Sequence, residues 1–149
     1  MKYKQIGKSD LKVSSVCLGT MTMGTQNNNK ESHDIMNFAY NNGINFIDTA
    51  EQYPAPSEKN LYGITEKIVG NWINEKKIRK NIVLSTKMSG PGVPWIRNGG
   101  LQYNAHNIKE AVEGSLKRLN TDYIDLYQLH WPERYYKSFA FDRNLNLDE

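Results

Sequence analysis

Apolar and polar positions along the chain alternate between two periods. Short apolar runs of strand length fall at Val16–Met21, Asn45–Ala50, Ile82–Lys87 and Tyr123–His130. Between them lie longer stretches in which apolar residues recur every three or four positions, the spacing of one helix face. The first, Lys30 to Asn42, carries Ile35, Met36, Ala39 and Tyr40 as its stripe, with Gly43 placed to end it. The second, Thr65 to Lys77, sets Ile64, Ile68, Val69, Trp72 and Ile73 against Glu66, Lys67, Glu75 and Lys76, which read as its solvated face. The third is the clearest. Asn104 is its expected cap, followed by Ile108, Ala111, Val112, Ser115, Leu116 and Leu119. Ahead of the first apolar run, Tyr3–Ile6 and Leu11–Val13 flank the turn residues Gly7-Lys8-Ser9-Asp10, which reads as a small hairpin. The order is hairpin, then strand and helix three times, then a fourth strand. Strands that alternate with helices form parallel sheets with right-handed crossovers. The chain therefore reads as α/β. After Pro132 the periodicity fails.

Composition adds limits rather than a function. The chain has 149 residues, enough for one domain, with 38% hydrophobic residues and a mean hydropathy of −0.70. Its net charge of +3 is scattered over helical faces, so no nucleic-acid partner is expected. No apolar run has the length of a membrane span, and the first residues lack the apolar core of a signal peptide, so a soluble cytoplasmic protein is expected. The single cysteine, Cys17, lies in an apolar run and reads as a small buried hydrophobe. His33 and His106 stand in helix or loop context with no ligand spacing to His130, so no metal site is expected.

Chemistry enters at the strand ends. Asp48, Lys87 and His130 each lie at the C-terminal end of a predicted strand, and Tyr53 follows Asp48 in a Pro-rich loop. In parallel α/β folds that end of the sheet is where ligands bind. Each residue also has a plain reading: Asp48 as a strand-end cap, Lys87 reaching for solvent, His130 as a core histidine, Tyr53 as a loop aromatic. Four such residues on one rim point to a site. A phenol, with a reference pKa of about 10, is a weak acid near neutrality. A nearby ammonium favours the phenolate, and a carboxylate keeps that ammonium charged and in place. A histidine opposite can donate to a carbonyl oxygen. The set is a proton donor for a carbonyl becoming an alcohol, and it requires a cofactor to supply the hydride.

Leu18-Gly19-Thr20-Met21, Gly43-Ile44-Asn45-Phe46-Ile47-Asp48-Thr49-Ala50 with Tyr53, Ser85-Thr86-Lys87, Ser115-Leu116-Lys117-Arg118-Leu119 and Asp125-Leu126-Tyr127-Gln128-Leu129-His130-Trp131-Pro132 together resemble the N-terminal half of the aldo-keto reductases. Glu51-Gln52-Tyr53-Pro54 and Val69-Gly70-Asn71-Trp72 are most similar to the bacterial Tas-like members. The resemblance implies a (β/α)8 barrel and NADPH-dependent reduction of aldehydes or ketones. It implies Tyr53 as general acid, Lys87 lowering its pKa, Asp48 paired with Lys87, and His130 orienting the substrate carbonyl. Gly19, Thr20 and Met21, with Asp48, correspond to positions beside the nicotinamide of NADPH. Trp131 is open to two readings, lining of the substrate pocket or barrel packing.

A full barrel takes about 250 residues. The expected domain is thus a partial barrel over 1–149: a hairpin at 2–14, the first four barrel strands within 15–132, and a tail at 133–149. Such a half is expected to be inactive alone and to associate through its open sheet edges. Two alternatives are carried: a regulatory module of the channel-subunit type, and a gene fragment without function.

Overall fold

The computed structural model describes residues 1–91, 93–99 and 102–133. The tail expected over 133–149 lies, from residue 134 onward, outside the described residues.

The hairpin forms as its turn chemistry predicts. Strands β1 (Tyr3–Gln5) and β2 (Lys12–Ser14) pair antiparallel. It is fastened to the start of a later strand. Asn45 accepts from the Ser14 amide through Oδ1 at 2.7 Å and donates from Nδ2 to the Lys12 carbonyl at 3.0 Å. The hairpin therefore sits at the end of the sheet opposite the predicted rim.

Four strands follow, β3 (Cys17–Gly19), β4 (Phe46–Asp48), β5 (Val83–Met88) and β6 (Leu126–Leu129). They lie side by side in chain order, every pair parallel. Helices α1 (Asn29–Asn41), α2 (Ile64–Lys76) and α3 (Ala105–Leu119) connect them. Strand–helix alternation with neighbouring strands in sequence order fits the N-terminal half of a (β/α)8 barrel.

One face of the sheet builds the core with the helices. Ile47 and Leu84, both fully buried, meet Met36, Ile68, Val69, Trp72, Ile73 and Leu119. The helices start where the polar caps place them. Asn28 and Glu31 form a reciprocal capping box on α1, and Asn104 accepts from the Asn107 amide at 2.9 Å on α3. Gly70 sits where α2 meets the backbone of Leu119 at the end of α3. A Cβ there would run into the Leu119 carbonyl.

Four expectations are corrected. Glu66 does not solvate the outer face of α2; it is fully buried and bound to Arg118 and Thr86. Ile35 leaves the α1 stripe and is 39% exposed, because the helix turns Ser32, Met36 and Ala39 inward instead. Cys17 is exposed rather than buried. Its neighbour Leu18 faces the helices, and period-2 alternation sends Cys17 to the opposite face of the sheet. The fourth strand begins at Leu126, not Tyr123. Arg79 holds the preceding residues, donating to the Tyr123 carbonyl and pairing with Asp125, whose carboxylate accepts from the Leu84 amide at 2.8 Å.

Candidate active site

The parallel register brings the predicted residues to one rim. Gly19 aligns with Asp48, Asp48 with Ser85, and Lys87 with Gln128. Because Ile47, Leu84 and Thr86 point toward the helices, Asp48, Ser85, Lys87 and Gln128 share the other face.

Asp48 is the centre of this face. Its Oδ2 accepts from Lys87 Nζ at 2.6 Å. Its Oδ1 accepts from Ser85 Oγ at 3.1 Å and from Gln128 Nε2 at 3.3 Å. Lys87 Nζ donates a second bond to the Thr49 carbonyl at 2.7 Å. Both side chains are largely withdrawn from water, Lys87 at 13% and Asp48 at 26% exposure. The pair supplies each partner with the opposite charge that burial demands. The strand-end carboxylate is thus paired with a cation and also part of a polar cluster.

Tyr53 stands above this pair. Lys87 Nζ lies 5.0 Å from its ring centroid, and the His130 ring meets it edge-on at 5.5 Å. The loop that carries Tyr53 is closed by its own amide to the Ala50 carbonyl and by the Gly63 amide to the Tyr53 carbonyl. His130 is placed at the end of β6 by its amide on the Met88 carbonyl at 3.0 Å. Its Nδ1 is buried without a hydrogen-bond partner among the described residues. The structure therefore brings Asp48, Tyr53, Lys87 and His130 together.

The electrostatics hold both the Tyr53 phenol and the His130 imidazole neutral near pH 7. Burial, then the Lys87 charge, lowers His130 to about 4, with Asp48 opposing. Burial, then the Asp48 charge, pushes the Tyr53 phenol up to about 12. A lysine-lowered phenol was the sequence expectation, and the direction here is the reverse. The leading cause is burial of the phenol, and the Asp48 carboxylate adds to it. A neutral phenol keeps its proton to give. An alkoxide is a far stronger base than a phenolate, so transfer to a developing alkoxide remains downhill.

The first strand–loop divides. Gly19 is exposed, and a Cβ there would meet no atom within 4 Å. Met21 is 48% exposed. Thr20 is turned inward, its hydroxyl and amide both donating to the Asp48 carbonyl, at 2.9 and 3.1 Å. Gly19 thus borders open space beside Asp48 and Met21 is half exposed, while Thr20 locks this loop to β4. Trp131 packs as one of its readings expects, and its ring also borders His130. Its ring lies 4.7 Å from that of His130, and it packs on Val93 and Ile96 with Nε1 donating to the Pro91 carbonyl at 3.2 Å. Gly90 makes this packing possible, since a Cβ there would run into the indole.

Two features were not foreseen. Ser85 and Gln128 join the Asp48 cluster, with Gln128 Nε2 on Ser85 Oγ at 2.7 Å. A signal for them exists: each lies two residues before a predicted site residue on the same strand, hence on the same face. The second is a buried charge network behind the rim, in which Glu51 binds Arg97 and Glu66 binds Arg118. No periodicity marks it, because Glu51 lies in a loop and Arg97 in a single 3-10 turn.

Protein tas of Escherichia coli (strain K12) is 44% identical over 140 residues, covering 90% of this chain and 39% of that protein. A probable voltage-gated potassium channel subunit beta of Arabidopsis thaliana is 39% identical over 137 residues, covering 89% of this chain and 38% of that protein. Among solved structures, the aldo-keto reductase AKR11C1 from Bacillus halodurans, in its holo form, superposes with a TM-score of 0.71 at 39% identity, over 87% of this chain and 40% of that one. The chain spans about two fifths of the length of the curated relatives it matches. The model of the Aldo/keto reductase family matches residues 15–146, and the chain belongs to that family.

Proposed function

We propose that this chain carries the proton-donating half of an oxidoreductase that reduces aldehydes or ketones to alcohols with NADPH. The observation that carries the reading is the convergence of a neutral tyrosine, a neutral histidine and a Lys–Asp pair on one strand-end rim. Tyr53 is the general acid. His130 donates to the substrate carbonyl oxygen from one ring nitrogen and sets its orientation, with Trp131 forming a wall of the same pocket. Lys87 and Asp48 fix the polar floor, and the Lys87 ammonium stabilises negative charge as it develops nearby. Gly19, Thr20, Met21 and Asp48 would hold the nicotinamide end of NADPH, which when bound supplies the hydride. The spent phenolate regains its proton from solvent.

Chain coverage bears on activity. These 149 residues correspond to about two fifths of a relative's length, so the isolated chain is expected to be inactive. A chimera joining residues 1–133 to the remaining length of the Escherichia coli relative is expected to oxidise NADPH when a carbonyl compound is added. In that chimera Tyr53→Phe should lower turnover by about two to four orders of magnitude, the usual range for losing a positioned general acid. Equal rates with tyrosine and phenylalanine would remove Tyr53 from the mechanism.

A second reading is favoured by the likeness to a protein named as a potassium channel subunit. There the same rim would bind the cofactor as a sensor within a regulatory module. Cofactor binding by the chimera without carbonyl-dependent turnover would select it.

A further inference from the structure

Glu51 is fully buried, three residues after Asp48 and two before Tyr53. A buried carboxylate persists only when its lone pairs and charge are met. Apart from the Tyr62 hydroxyl, the side-chain partners of Glu51 come from outside its own loop. Arg97 grips it with both terminal nitrogens, Nη1 on Oε2 at 2.8 Å and Nη2 on Oε1 at 2.6 Å. The Ser89 amide donates to Oε1, and the Tyr62 hydroxyl to Oε2 at 3.3 Å. Arg118 stands 3.8 Å away and donates in turn to Glu66, which accepts from the Thr86 hydroxyl at 2.6 Å. The next residue, Gln52, accepts from Ser89 Oγ at 2.6 Å.

The network thus holds the backbone behind both Tyr53 and Lys87. Thr86 precedes Lys87 on β5, and Glu51 anchors the loop of Tyr53. The phenol has no such hold of its own. Among the described residues the Tyr53 hydroxyl makes no hydrogen bond; its buried ring has the His130 ring as aromatic neighbour and the Lys87 ammonium as cation neighbour. With no hydrogen bond at its hydroxyl, the phenol takes its place from the packing of its ring and from the loop backbone that carries it.

We infer that Glu51, gripped by Arg97, is a positioning residue that holds the Tyr53 phenol against His130 and Lys87; this rests on the reading of Tyr53 as the proton donor. A bidentate guanidinium–carboxylate pair fixes direction as well as distance. A loop held only by apolar packing would leave the hydroxyl free to shift, and a misplacement of about 1 Å can cost a hundredfold in rate.

Two variants test this, Glu51→Gln, which keeps an acceptor for the Ser89 amide, and Glu51→Gln combined with Arg97→Met, which leaves no unpaired charge at Arg97. In the full 149-residue chain the readout is the NOE between the Tyr53 and His130 rings, with amide exchange in β4 and β5 reporting the fold. In the chimera it is kcat against KM. The expected result is loss of the ring NOE with β4 and β5 still protected, and kcat lowered about a hundredfold with KM within about twofold. An undiminished NOE and an unchanged kcat in either folded variant overturn the inference. Should Glu51→Gln fail to fold, the double variant decides, and loss of β4 and β5 protection there as well would make Glu51 a folding residue and overturn it too. If instead Tyr53→Phe retains full turnover, the proton-donor reading falls, while the NOE still reports whether Glu51 sets the position of the phenol.

Discussion

His130 combines ring contact, burial and a lowered pKa, and the combination makes stability depend on pH. Its folded pKa of about 4 lies below the ordinary 6.5. The unfolded chain therefore takes up a proton first as pH falls. The contribution of this residue is intact above about pH 6.5, declines as the pH falls toward 4, and is lost below it. Urea melts at pH 7 and pH 5 should show the decline, and His130→Gln should flatten that part of the profile. An unchanged slope would mean that the imidazole is not withheld from protons. Tyr53 acts at the other extreme with the opposite sign. Its pKa is raised to about 12 from 10.0, so its contribution is full below pH 10 and lost as the pH rises through 12.

At the scale of elements, the contact between α2 and α3 rests on a missing side chain. Gly70 lowers intrinsic helix propensity, yet it lies within α2 because the Leu119 backbone occupies the place of a Cβ. Gly70→Ala is accordingly expected to destabilise the fold by about 1–3 kcal/mol despite the gain in propensity, the usual range for overpacking. Denaturant midpoints would check this, and a stabilised variant would show that the helices separate without penalty. The same pair of helices explains why Glu66 is buried rather than solvated. Its neighbours in sequence are polar, but α2 carries it under Arg118 of α3, and only the partner helix makes burial of that charge tolerable.

The molecule as a whole presents a sheet covered by helices on one face. β3 and β6 each have one strand neighbour among the described residues, and Leu129 on β6 is 50% exposed. Unpaired strand edges template further pairing. The 149-residue chain is therefore expected to self-associate at micromolar concentrations. Sedimentation velocity over a concentration series should show larger species, and Leu129→Lys, which places a charge on the β6 edge, should reduce them. A monomer at all concentrations would mean that the edges are protected by other means.

Much of this arrangement was legible in the residues themselves, for a physical reason. Periods of two and of three to four residues record which side of a backbone meets apolar neighbours. The hairpin, three helices and four strands follow from that local geometry, as do the caps at Asn104 and Gly43. The rim followed as well, because Asp48, Lys87 and His130 each close a strand, and parallel strands end together. What the sequence left open depends on groups far apart in the chain. The phenol of Tyr53 is one case: tertiary burial, with Asp48 beside it, raises its pKa instead of lowering it. Exposure of Cys17 is another, since it follows from which face of the sheet the helices cover. The Glu51–Arg97 grip joins residues 46 apart in the chain, and no local pattern encodes a pair that exists only once the tertiary fold has buried both charges together.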